Sequence, residues 1–350
     1  MARRGRVDEA ARCLQEVLPG GWATSVTRRG SRGQEIRITS PSGSTADLDL
    51  VTAPDATPRS VAALALAEGP ALVVADWLSE RAQALLRARG VSFMDATGNA
   101  EVRLSEPGLF IRTEGARRNP SPRRAKGPTL RGPKAWALLR TLAEVPPPIG
   151  VRQLGDAVDV DPGYVSRVIG VLEQELLVTR VARGPVTDAE WEGVLRRVAS
   201  TYSLFDSNKT TTWAASAGPE RLLTDLAAKR AGRWAITGSF AASRLAPVTA
   251  PEIAVIYAED PDRLARAGRL LPATRGANVV VAEAYDPVVF ERTVNSGVDR
   301  YVSTAQVALD CLTGSGRMRS EGEAVLAWMR NNEPRWRTAS LEHRRKTRSA

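Results

Sequence analysis

One stretch, VRQLGDAVDVDPGYVSRVIGVLEQELLVTRVAR from Val151 to Arg183, restricts the fold more than any other. Val151, Leu154 and Val158 share an apolar face, which predicts a short helix over Val151–Val158. Asp159 to Asp161 form a turn, with Asp161 placed to cap the next helix and Pro162 to open it. Val165, Val168, Ile169, Leu172 and Leu176 then recur at helical spacing and define a buried stripe. The opposite face carries Gly163, Tyr164, Ser166, Arg167 and Gly170, which are small, polar or basic. Small residues permit close approach to a duplex, while Ser, Arg and Tyr reach phosphates or base edges. After the helix, Leu177 to Arg183 becomes β-branched and Gly184-Pro185 makes a tip. Cap, turn, helix and hairpin in that order predict a winged helix-turn-helix, whose second helix enters the major groove. A plain helical hairpin used for packing is the competing reading.

The 350 residues suffice for two or three domains with separate cores. No apolar run approaches the roughly 20 residues that span a bilayer, and the basic start MARRGRVDEAARCLQEVL has no apolar core, so neither a membrane span nor a secretory signal is expected. Cys13 and Cys311 make no disulfide framework or zinc cluster, and the expected compartment is the cytoplasm. A net charge of +10 favours a polyanionic partner, although an arginine-rich composition follows from a GC-rich genome as well. The one histidine, His343, lies in the basic tail, which excludes Ser-His or Cys-His nucleophile pairs and histidine zinc sites in the body. Catalysis, if any, would fall to carboxylates with a metal; no cofactor and no metal site is expected.

Before the central stretch, alternating and apolar runs predict an α/β domain over residues 1–114: a helix Val7–Leu18, three strands to Thr52, and a helix Arg59–Ala67. A buried strand at Ala71–Val74, a helix opened by Ser79, and strands at Val91–Asp95, Ala100–Leu104 and Leu109–Thr113 complete it. Asp47 and Asp49, with Asp95 and Glu101-Val102-Arg103, invite a nuclease reading of the restriction-endonuclease kind, but no Glu-x-Lys follows, so an inactive domain is expected. Asp95-Ala96-Thr97-Gly98-Asn99 reads as a turn. Residues 115–133 form a linker; GARRNPSPRRAKGPTLRGPK holds seven basic residues, four prolines and no acid. Its Arg123, Arg124 and Lys126 are expected to track DNA phosphates.

The winged domain is expected over residues 134–200, ending in a helix capped by Asp188. Residues 201–334 read as a third α/β domain, and residues 335–350 as a disordered basic tail. In the third domain, Gly238-Ser239 leaves a strand and opens a helix, the layout of a phosphate-cradling turn. Nucleotidyltransferase folds follow such a turn with a strand bearing two carboxylates, two residues apart, that hold metal. Here Glu252 occupies the first position but Ala254 the second, and Glu283 stands alone on a later strand. An inactive nucleotidyltransferase-like scaffold is expected, with Gly238, Ser239 and Glu252 as candidates for binding a small ligand.

Three pieces together resemble the AbiEi-like antitoxin and transcriptional-regulator family of type IV toxin–antitoxin systems. They are ALVVADWLSERAQALLRARGVSFMDATGNAEVRL with LFIRTEG; the winged segment from about Lys134; and WAITGSFAASRLAP, ANVVV, YVSTAQVALDCL and GRMRSEGEAVLAWM. The resemblance runs from about Pro70 to Met329. It implies a winged domain that binds inverted repeats upstream of its own operon, and a nucleotidyltransferase-like domain that is not an enzyme. The extended N-terminal domain departs from the short antitoxins, which bears on pairing with a toxin more than on DNA binding.

The fold expected is therefore mixed α/β: a restriction-endonuclease-like domain, a winged helix-turn-helix and a nucleotidyltransferase-like domain. The function expected is a sequence-specific double-stranded DNA-binding repressor. Gly163, Tyr164, Ser166 and Arg167 would sit in the groove, with Arg180 and Arg183 of the wing on phosphates. A homodimer is expected, because one recognition helix reads too few base pairs; a cognate toxin or a small-molecule effector is a further partner. The alternatives are a metal-dependent nucleotidyltransferase or nuclease, and a regulator that senses a nucleotide.

Overall fold

The computed structural model describes residues 2–29, 33–53, 56–66, 69–120, 128–182, 184–229, 231–297, 299–338 and 340–341. The chain is mixed α/β and divides into two compact units, Met1–Lys126 with Glu173–Leu176, and Gly127–Leu172 with Leu177–Ala350.

In the first unit, α1 (Ala2–Val17) precedes β1 (Ala23–Arg29), β2 (Gly33–Thr39) and β3 (Thr45–Thr52). Helix α2 (Pro58–Ala62) leads to β4 (Ala71–Ala75), and α3 (Glu80–Ala88) to β5 (Ser92–Asp95). β6 (Ala100–Leu104) and β7 (Leu109–Thr113) complete a sheet in the order β1-β2-β3-β4-β5-β6-β7. β4 runs parallel to β3 and β5, and the remaining neighbours are antiparallel. β4 is apolar throughout because both its faces are covered: Leu72 and Val74 share a core with Leu14 of α1, Val73 and Ala75 with Leu86 of α3. Ser79 caps α3 by accepting from Ala82 N, as its sequence predicts. The helix expected over Arg59–Ala67 stops at Ala62 instead. Arg89 donates to the carbonyls of Val61 (2.8 Å) and Leu64 (2.9 Å), taking acceptors that a continuing helix would use itself.

The second unit opens with α4 (Pro133–Glu144), α5 (Val151–Val158) and α6 (Pro162–Gln174). A hairpin of β8 (Val178–Arg180) and β9 (Val186–Ala189) follows, then α7 (Trp191–Ala199). Ile149 adds a bridge to Val186 on the hairpin's inner edge. The chain continues through β10 (Lys209–Ala214), α8 (Pro219–Ala227), β11 (Trp234–Thr237), α9 (Gly238–Leu245), β12 (Ala254–Ala258) and α10 (Pro261–Gly268). It ends with β13 (Leu271–Pro272), β14 (Val279–Glu283), β15 (Val294–Ser296), β16 (Asp299–Tyr301), α11 (Thr304–Leu312), α12 (Met318–Asn331) and α13 (Glu333–Trp336). The sheet order is β13-β10-β14-β12-β11-β16-β15.

Helix α4 is buried from Ala135 to Glu144, on every side rather than along one stripe. One apolar cluster joins its Leu138 and Leu142 with Val168 and Ile169 of α6 and with Val307 and Leu326 of α11 and α12. A helix buried all round must place its polar residues against partners. Arg140, fully buried, lies 3.2 Å from Glu144 and donates to Gln306 (3.2 Å) and to the carbonyl of Glu291 (3.3 Å). Glu144 also accepts from Arg292 and Ser303. Burial pushes its pKa up, but Arg140, Arg292 and Ser303 outweigh burial and hold the carboxyl below its ordinary range.

Three expectations shift in this unit. Glu190, not Asp188, caps α7 by accepting from Gly193 N, because Asp188 is still paired with Thr179 in the hairpin. Leu176 falls beyond the end of α6 in a left-handed conformation (φ 53°), where the chain turns into β8. The segment read as the start of a disordered tail is ordered at least to Arg337. Trp336 meets Trp191 edge-on at 4.9 Å, and Arg337 donates to the carbonyls of Ala143 and Ala189. Residues 342–350 lie outside the described residues. Among the described residues, no helix is long and apolar enough to cross a membrane.

Candidate nucleic-acid interface

The turn between α5 and α6 is built by its side chains. Asp159 ends α5 in a left-handed conformation (φ 55°), and Val160 N returns to the carbonyl of Gly155 at 3.0 Å. A side chain at Gly155 would place Cβ 2.8 Å from Val160 O, so glycine is required for this close approach. Asp161 Oδ1 accepts from Gly163 N (2.8 Å) and Tyr164 N (3.1 Å), capping α6 with Pro162 in its first turn.

On α6, Val165, Val168, Ile169 and Leu172 are buried, while Gly163 and Arg167 are exposed and Tyr164, Ser166 and Gly170 are partly so. Burial pushes the Tyr164 phenol up against the pull of Arg167, so at neutral pH it keeps its proton and can donate. The structure brings the hairpin to this helix: Arg180 Nη1 donates to Ser166 Oγ at 3.2 Å. The hairpin tip is closed by Gly184 N to Val181 O at 2.7 Å. Arg183 of the tip and Arg123, Arg124 and Lys126 of the linker lie outside the described residues. Positions Gly163, Tyr164, Ser166, Arg167 and Arg180 thus form one surface. It can offer guanidinium, hydroxyl and phenol donors to an anionic ligand, with the positive end of α6 beside them.

The Gly238-Ser239 turn is differently furnished. Gly238 has φ 64°, and a Cβ there would meet Met318 and Val255 at 3.2 Å, so the turn is packed from both sides. Ser239, buried, donates to Glu321 at 2.6 Å; Arg317 lies 3.6 Å from Glu321 and 3.7 Å from Glu252. Glu252 does not lie on the strand. β12 begins at Ala254, the first residue to reach across, with its N–H on Asn278 O at 3.0 Å; the Glu252 side chain is 80% exposed. Glu283 stands at the far end of β14, opposite Ala258, with Lys209 at 3.6 Å.

In the first unit, Arg37 holds Asp47 with two hydrogen bonds (2.7 and 2.8 Å). Glu101 is on β6, separated from β3 by β4 and β5, and is bound by Arg87 and Arg103. Asp95 spends both oxygens on its turn, accepting from Thr97 and Asn99 and from Leu78 N. The same turn pins the start of the linker, with Gly115 N on Asn99 at 2.8 Å. Among the described residues, no group of three or more His, Cys, Asp or Glu side chains is placed to hold a metal ion.

Two acids that sequence reading passed over organise the second unit: Glu321 at the Ser239 turn and Asp310 beneath it. Asp310 accepts from Thr237 (2.6 Å), Tyr202 (2.6 Å), Gln306 (2.9 Å) and Tyr257 (3.1 Å). The available signal was an acid inside an apolar helix, VALDCL. Burial raises its pKa from 3.8 to about 6 despite these donors. The folded state therefore binds this proton more tightly than the unfolded chain does, and its charging costs stability. Measured by thermal unfolding, the stability of the wild type relative to Asp310→Asn is expected to fall as pH rises from about 4 to about 6. A flat difference would mean that Asp310 does not titrate there.

Compared with models of protein families, with curated proteins and with solved structures, the chain matches none.

Proposed function

We infer that the chain is a sequence-specific double-stranded DNA-binding transcriptional regulator, an autorepressor of the AbiEi-like kind. The observation that carries this reading is the capped helix α6. It turns Gly163, Tyr164, Ser166 and Arg167 outward over a buried Val165, Val168, Ile169 and Leu172, with Arg180 of the hairpin bonded to Ser166. The succession of α4, the Ile149 bridge, α5, α6 and the β8–β9 hairpin is the element order of a winged helix-turn-helix. On this reading α6 enters the major groove and the hairpin lies along the backbone.

The first unit's order of a helix, three antiparallel strands, a helix and a parallel strand supports the restriction-endonuclease-like assignment. The run β11, Gly238-Ser239, α9, β12 supports the nucleotidyltransferase-like one. Both are scaffolds in this proposal, since Asp47, Glu101, Glu252 and Glu283 are dispersed and ion-paired. The regulator would act in the cytoplasm as a homodimer on inverted half-sites, with a toxin or a small effector to relieve it.

The test is a gel-shift titration with the DNA upstream of the chain's own gene, against random competitor, at two salt concentrations. Retention of the upstream fragment under competitor is expected. Equal displacement by any DNA would leave only charge at work and sink the proposal.

A further inference from the structure

The sheet of the first unit has one face that its helices do not finish covering. Val102, Leu109 and Ile111 turn toward α1 and are buried with it. The pairings Phe93 with Glu101, Glu101 with Arg112, and Arg103 with Phe110 put those residues on the opposite face. There α3 covers Phe93, but β6 and β7 extend past it. Phe110 is 61% exposed, and the side chains of Arg103 and Arg112 are 57% and 52% exposed.

Glu101 anchors this face, its side chain 3% exposed. Arg87 takes one oxygen at 2.8 Å and Arg103 the other at 2.7 Å, while Arg112 comes no nearer than 3.9 Å. Burial pushes the Glu101 carboxyl up, and the hydrogen bonds from Arg87 and Arg103 more than reverse it, so the carboxylate stays charged at neutral pH. One carboxylate cannot neutralise three guanidiniums, and the cluster keeps an excess of two positive charges. The Arg103 guanidinium also sits over the Phe110 ring, 5.1 Å from its centroid, so ring and charge are held side by side.

We propose that the β6–β7 face is a second, sequence-independent nucleic-acid site, which takes an unpaired strand. Arg103 and Arg112 would meet backbone phosphates, and Phe110 offers its ring to an unstacked base. The pairing of a positive surface with an exposed ring is what single strands bind. An acidic peptide would use the guanidiniums and leave the ring idle. The site is independent of the α6 reading and stands or falls separately.

The experiment is fluorescence anisotropy of a labelled oligothymidylate, and in parallel an oligouridylate, with the full chain. Phe110→Ala is expected to weaken binding roughly tenfold and Phe110→Trp to restore it. Arg112→Gln should also weaken binding and flatten the salt slope by about 0.7, one phosphate's share. Neither change should alter discrimination between upstream and random duplex. Tighter binding of either strand supports the proposal and names its source. Wild-type affinity in Phe110→Ala, or displacement of the strand by polyglutamate regardless of residue 110, would overturn it. So would Phe110-dependent self-association in sedimentation with no binding of either strand.

Discussion

Replacing Glu144 with alanine is expected to destabilise the second unit by about 3–5 kcal/mol, read as a lowered denaturant midpoint. The size follows from what the change leaves behind. Arg140 is fully buried and would lose its carboxylate without gaining water, and Arg292, about three-quarters buried, would lose the same partner. The remaining acceptors of Arg140, Gln306 and the Glu291 carbonyl, are neutral and cannot replace it. A loss below about 1 kcal/mol would place Glu144 among solvent-screened surface pairs and contradict its burial. The same carboxyl sets a pH dependence of opposite sign to that of Asp310. Its folded pKa is depressed, so its stabilisation is present above the ordinary carboxylate range and is lost as pH falls through the depressed value.

Arg167→Ala should cost about 1–3 kcal/mol of binding to the preferred duplex, roughly a 5- to 150-fold loss of affinity, if the guanidinium reads a guanine edge. Arg167 is exposed on α6, where a substitution changes folding stability by less than about 0.5 kcal/mol, so the loss would be one of recognition. Random duplex should bind almost as before. The contrast is Arg123→Ala in the linker, expected to weaken every sequence alike and lower the salt slope by about 0.9. Equal losses for Arg167→Ala on preferred and random DNA would remove α6 from the groove.

The parts of this molecule legible in its sequence are those fixed by local chemistry. Val151–Val158 begins and ends where its apolar spacing and the Asp159–Pro162 turn require, and Asp95 to Asn99 form the turn that their side chains dictate. The surface of α6 follows from the same periodicity, because a buried stripe determines its opposite face. What was not legible depends on distant partners. Nothing local marks Arg140 and Glu144 for burial, and only contact with Arg292, Ser303 and Gln306 explains it. The apolar neighbours of Glu252 predict a strand that includes it, yet strand pairing starts only where Asn278 offers a carbonyl. By sequence Trp336 belongs to a charged tail, because its counterpart, Trp191, is far away along the chain.

The enclosure of α4 has a consequence for how the helices α4 to α6 and their hairpin can be inherited. A winged domain joined by a tether can be cut out and spliced beside new neighbours, since its core closes on itself. Here the inner helix is completed by α11 and α12, so a chain ending near Ser200 would carry α6 with no finished interior beneath it. This module is not an exchangeable cassette. It and the sheet beside it are one inseparable casting, and a change in either has to be accommodated by both.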